Sequence, residues 1–155
     1  MIKLGKLTDY AIAVMGQLAH ETADGALSAR HVAERTGVPE PTVAKVLKLL
    51  SKGGLVAATR GAAGGYTLTK DAASFSLTEI IEALDGPVCI VSCADGNEEA
   101  CALWHTCPTK SNWTRVNEAI RKALDGITLA DMLVPSAITI APPKAPAKDI
   151  DAHSA

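Results

Sequence analysis

The stretch from Ser28 to Lys52, SARHVAERTGVPEPTVAKVLKLLSK, decides the fold. Ser28 is a suitable N-cap, and the helix it opens runs through Arg35, where Thr36-Gly37 stops it. Val38-Pro39-Glu40-Pro41 leads to a further helix from about Thr42 to Lys52, closed by Gly53-Gly54. In that helix Val43, Val46, Leu47 and Leu50 form one apolar stripe, while Lys45, Lys48 and Lys52 recur at three and four residues and share the other face. A short helix, a glycine turn and a second helix with its own stripe form a helix-turn-helix, whose second helix enters the major groove of double-stranded DNA. Lysines on such a helix touch phosphates more often than bases. Glu40 and Thr42, at its start, are therefore the better base-reading candidates.

Just downstream, Leu55 to Arg60 and Tyr66 to Thr69 are two short strands around the glycine-rich turn Gly61-Ala-Ala-Gly64-Gly65, which is the pattern of a wing. A nucleotide-binding loop is disfavoured, because the glycines have neither a Gly-Lys-Ser/Thr ending nor a helix directly after them. Arg60, beside that turn, suits a narrow minor groove, where negative potential concentrates. Upstream, Thr8 to Glu21 places Ala11, Val14, Met15 and Leu18 at helical spacing behind a possible Thr8 N-cap, with Asp9 in the first turn.

Beyond the wing, Ser76-Leu-Thr-Glu79 is a capping box that opens a helix through Leu84, stopped by Asp85-Gly86-Pro87. From about Lys110 to Asp125 the residues Trp113, Val116, Ile120, Ala123 and Leu124 form the apolar stripe of a long helix that faces the core, a partner helix, or both. Thr128-Leu-Ala-Asp131 caps one last short turn. After Val134 the chain holds four of its eight prolines, and residues 135–155 are expected to be a disordered tail.

All four cysteines fall between Cys89 and Cys107, and clustering of that kind in a reducing compartment points to metal or redox chemistry. The thiols Cys89, Cys93, Cys101 and Cys107 contain no Cys-x-x-Cys pair, so the wide loops fit an iron-sulfur cluster better than a zinc ribbon or a thioredoxin-like site. Structural zinc remains the alternative, and Cys89, on an apolar stretch, is also read as a buried thiol.

The 155 residues fit one domain, or a small domain with an appendage, able to bury a core without disulfides. With 3% aromatic residues, that core must be mainly aliphatic, which favours helices. Residues 1–70 carry nine Lys/Arg against five Asp/Glu, whereas residues 71–155 carry six against twelve. A basic first half is what a phosphate backbone attracts, so a net charge of -2 conceals two jobs. No apolar run is long enough for a membrane span and no signal peptide is evident, so a cytoplasmic protein is expected. A thiol redox enzyme has little support, since neither a redox pair nor a hydrolase motif occurs.

Together, KLTDYA near the start, VLKLLSKGGLV, TRGAAGGYTL, SLTEIIEALDGP and the thiols Cys93, Cys101 and Cys107 resemble the IscR/NsrR-type winged-helix regulators over about residues 1–134. TDY, CPTKSNW and ITLADML are most similar to the SUF-system iron-sulfur assembly regulators. The resemblance implies a homodimeric transcription factor, usually a repressor, that controls iron-sulfur assembly genes through the state of a 2Fe-2S or 4Fe-4S cluster. It also implies a mostly α fold with a small β wing: a winged helix-turn-helix over 1–70, and a cluster-binding loop with a long C-terminal dimerisation helix over 71–134. Cys93, Cys101 and Cys107 stand at the family's cluster-binding positions. The assembly branch takes a histidine three residues after the last cysteine, where this chain has Lys110, a poor ligand when protonated. The nitric-oxide-responsive branch takes an aspartate from the partner subunit's first helix, and Asp9 stands at the matching place, with His105 and Cys89 as the other candidates.

Overall fold

The computed structural model describes residues 4–21, 25–61, 64–91 and 101–134. Cys93 and the expected tail at 135–155 lie outside them. Helix α1 spans Lys6–Glu21, α2 Ala29–Thr36 and α3 Glu40–Lys52. Strands β1 (Val56–Thr59) and β2 (Gly65–Leu68) follow, then a 3-10 turn at Ala72–Ser74. Helices α4 (Leu77–Asp85), α5 (Lys110–Asp125) and α6 (Leu129–Leu133) complete the order.

Local chemistry accounts for most of these boundaries. Ser28 caps α2 by accepting from the His31 amide, and Gly37 ends it in the left-handed region at φ 72°, so the chain turns sharply into α3. Helix α3 begins at Glu40, two residues before the expected start, because Pro41 is tolerated in a helix's first turn, where no intrahelical partner awaits its missing N–H. Ser76 and Glu79 close the expected capping box, and Thr128 with Asp131 forms a second one at α6.

Thr8 departs from its expected role. It lies inside α1, almost fully buried, and its hydroxyl donates to Asp85 Oδ2 at 2.6 Å. The same oxygen accepts from the Gly5 amide at 3.0 Å, so the carboxylate at the end of α4 caps α1 from 77 residues away.

The core joins Ala11, Val14, Met15 and Leu18 of α1 to Val32 of α2, Val43, Val46, Leu47 and Leu50 of α3, and Phe75 and Ile80. Leu129, at the far end of the chain, is fully buried in the same cluster. Its amide donates to Phe75 O at 2.9 Å, and the Leu77 amide donates to Ile127 O at 2.8 Å, which returns the C-terminal segment to the first helices. Helix α5 is fastened to α4 instead: Arg121 pairs with Glu82 at 2.6 Å, and Thr78 Oγ1 donates to Arg121 O at 3.5 Å.

Strands β1 and β2 pair antiparallel, with Val56 opposite Leu68 and Thr59 opposite Gly65. Leu27, just before α2, adds a bridge to Tyr66 through bonds of 3.0 and 2.8 Å, a third contact that ties the wing to the helix-turn-helix. Among the described residues, no helix is long and apolar enough to cross a membrane.

Candidate functional site

Helix α3 carries the residues expected to read DNA. Val43, Val46, Leu47 and Leu50 are buried against α1 and α2, which forces Lys45, Lys48 and Lys52 outward, and all three are exposed. Glu40 is exposed at the start of the helix, and Thr42 is half-buried. Arg60 follows β1 and is exposed beside the wing turn, where the Gly64 amide donates to Gly61 O at 3.0 Å. A helix with a lysine face beside a two-stranded projection bearing an arginine presents positive charge at two points.

The thiol region lies at the other end of the chain's path. Cys89, Cys101 and Cys107 are half-buried and form no disulfide. Cys101 and Cys107 flank a run of turns in which the Trp104 amide donates to Cys101 O at 3.0 Å and the Cys107 amide donates to Leu103 O at 2.8 Å. Cys107 Sγ lies 3.4 Å from Thr109 Oγ1, and Thr109 is the N-cap of α5 without using its own side chain to cap it. The Thr109 hydroxyl above all, then the Thr109 and Lys110 amides and the Lys110 charge, hold the Cys107 thiol below its usual range. Thiolate is the form that ligates iron, so the donor chemistry here fits a cluster.

Lys110 is engaged elsewhere. Its Nζ sits 3.4 Å from the Trp104 ring centroid, a cation–π contact available only to the protonated amine. His105 is exposed. Asp9 is exposed in the first turn of α1 and lines a cavity of about 320 Å³ with Leu4, Thr8, Ile12, Leu77 and Met132. Cys89 lines a different cavity, of about 690 Å³, with Ile81, Asp85, Val88, Ile120 and Leu124. Among the described residues, no three His, Cys, Asp or Glu side chains gather as a metal site within one chain.

The stripe of α5 is divided. Ile120 and Leu124 are half-buried towards α4, whereas Trp113 and Val116 remain 42% and 43% exposed. Asn117, absent from the expected site residues, is the buried residue of this helix, and its amide bonds to Val88 and Ile90 on either side of Cys89. Its signal in the sequence is position: Trp113, Asn117, Ile120 and Leu124 share one helical spacing, so an amide stands where an apolar residue is expected.

Comparison with known proteins agrees with this architecture. The family described as Rrf2, Iron-dependent Transcriptional regulator, matches residues 4–135. The chain belongs to the Rrf2 family. It is 33% identical over 124 residues to the HTH-type transcriptional regulator IscR of Yersinia pseudotuberculosis serotype O:1b (strain IP 31758), covering 80% of this chain and 74% of the relative. T. potens IscR superposes with a TM-score of 0.61 at 33% identity, over 85% of this chain and 86% of that one. CymR, the global cysteine regulator of B. subtilis, superposes with a TM-score of 0.65 at 28% identity, over 86% and 97%. This Rrf2 protein is therefore an IscR-like transcriptional regulator with the winged-helix fold of its family.

Proposed function

We propose that this protein is a cytoplasmic homodimeric repressor of iron-sulfur assembly genes that binds operator DNA according to the state of an iron-sulfur cluster. Residues 1–70 form the reading unit, with Lys45, Lys48 and Lys52 on phosphates, Glu40 and Thr42 towards bases, and Arg60 in the minor groove. Residues 71–134 carry the cluster loop and the dimer helix. Cys93, Cys101 and Cys107 hold the cluster, and Asp9 of the partner subunit supplies the fourth ligand. The cluster makes the protein responsive to iron supply, oxidation or nitric oxide; the protein acts by binding and not by catalysis.

The observation that carries this reading is the place of Cys107 at the start of α5, its Sγ 3.4 Å from the hydroxyl of the N-cap Thr109, in a family described as iron-dependent. Lys110 on Trp104 leaves the position of the assembly branch's histidine without a ligand, which favours Asp9. Trp113 and Val116, exposed on the same helix, supply the apolar surface for a second copy.

Anaerobic purification followed by visible and Mössbauer spectra, with iron and sulfide counts, tests the proposal and assigns a 2Fe-2S or 4Fe-4S cluster. A brown protein whose colour is lost in Cys101→Ala is expected. A colourless protein containing zinc would overturn the cluster and leave a structural zinc winged-helix regulator in its place.

A further inference from the structure

We propose that Asn117 is a positioning residue for the cluster: it holds the entry of the cysteine segment to α5, the helix whose N-terminus already holds the exit. The inference rests on the cluster reading above.

Asn117 is 8% exposed, and an amide so buried is destabilising unless both of its ends are bonded. Both are. Asn117 Oδ1 accepts from the Ile90 amide at 3.2 Å, and Nδ2 donates to Val88 O at 3.1 Å. The orientation is forced, since a backbone N–H only donates and a carbonyl only accepts, so a flipped amide loses both bonds. The pair of bonds spans Cys89 and fixes the backbone three residues before Cys93.

The other end of the segment is fastened to the same helix. Cys107 Sγ meets Thr109 Oγ1 at 3.4 Å where α5 begins, and Lys110 to Asn117 is about 10 Å of helix. Entry and exit are thus pinned two turns apart on one rigid rod. Ligands carried by a segment held at both ends converge on a cluster at a lower entropic cost than ligands on a segment held at one end. Ordinary packing would be served as well by an aliphatic side chain at position 117, since its neighbours in the stripe are Trp113, Ile120 and Leu124. The two bonds to the cysteine segment are what an aliphatic side chain cannot supply.

Asn117→Leu separates these roles, because it completes the stripe and removes both bonds; Asn117→Asp is the second variant, keeping the acceptor for Ile90 and losing the donor to Val88. In full-length dimer, Asn117→Leu is expected to melt within a few degrees of wild type while losing iron to a chelator about tenfold faster, the effect of one or two hydrogen bonds. Asn117→Asp should fall between them. Hydrogen exchange in the apo protein supplies a readout independent of the cluster, and the Ile90 amide should exchange at least tenfold faster in Asn117→Leu than in wild type. A wild-type protein that binds cluster, with Asn117→Leu releasing iron at the wild-type rate, would overturn the positioning role, whatever the exchange shows. A wild-type protein that never binds cluster would overturn the functional reading and this inference with it.

Discussion

His31 Nε2 donates to Glu21 Oε2 at 2.7 Å, and Arg35 Nε stands 3.1 Å from Glu21 Oε1, so the last residue of α1 is tied to α2 by two cationic or donor groups. The His31 hydrogen bond first, then the charge of Arg35, draws the Glu21 carboxyl below its ordinary value. A carboxyl with a depressed folded value contributes stability above its unfolded value, and that contribution is lost as pH falls through the folded one. Thermal melts from roughly pH 5 down to pH 3 should therefore show a steeper loss for wild type than for Glu21→Gln, which has no such carboxylate to protonate. Parallel profiles would mean that the pair contributes nothing. Cysteine substitutions probe the other end of the chain: Cys101→Ala and Cys107→Ala should remove the cluster and leave a folded protein, because the core lies in α1 to α4 and Leu129, while Cys89→Ala should keep it. The thiols stand out in the sequence because few residue types can ligate a metal. Asn117 is far less so, since its role follows from which backbone groups lie across from it, 27 and 29 residues away.

At the scale of elements, α2 and α3 are readable because every determinant is local: Ser28 as cap, Gly37 as left-handed stop, and an apolar stripe that alternates with the lysines of α3. The start of α1 is not, because its cap is the Asp85 carboxylate, brought there by the packing of α4 on α1. Asp85→Ala should cost roughly 0.5–2 kcal/mol, the range for losing a helix cap. A double-mutant cycle with Thr8→Val should be clearly non-additive, since one oxygen serves both Thr8 and Gly5. Additive effects in urea titrations would show that the 2.6 Å contact is energetically idle. On α3 the core stripe and the solvent face separate stability from binding. Leu47→Ala, at a fully buried site, should cost about 2–5 kcal/mol. Lys48→Ala should leave stability almost unchanged, weaken all DNA sequences alike and reduce the salt slope of binding by about 1. Loss of affinity for a single operator sequence alone would move Lys48 from phosphates to bases.

At the scale of the molecule, the helices on either side of the wing share one core: Asp85 is bonded to the start of α1, and Phe75, Ile80 and Leu129 are buried with the side chains of α1 and α3. Exposed Trp113 and Val116 sit on α5, so replacing both by Glu should convert a dimer to a monomer in sedimentation, and with it abolish binding to a symmetric operator. As the proposed fourth ligand, Asp9 would set how such a dimer passes its signal. It is exposed on α1, which packs directly on α3, so a bond from Asp9 of the partner subunit to the cluster would join one subunit's thiols to the other's reading helix. Carboxylate oxygen is a harder and weaker ligand for iron than thiolate, so such a bond would be the first lost under oxidation or nitrosylation, and three cysteine ligands would still hold the cluster. Asp9→Ala should therefore keep a cluster, of greater lability, and yet bring the ratio of operator affinities between cluster-bearing and apo forms close to one. Cys107→Ala should lose cluster and ratio together. Should Asp9→Ala instead keep the wild-type spectrum and the wild-type affinity ratio, the carboxylate is only a stabiliser of the first turn of α1, and His105 or Cys89 becomes the leading fourth ligand.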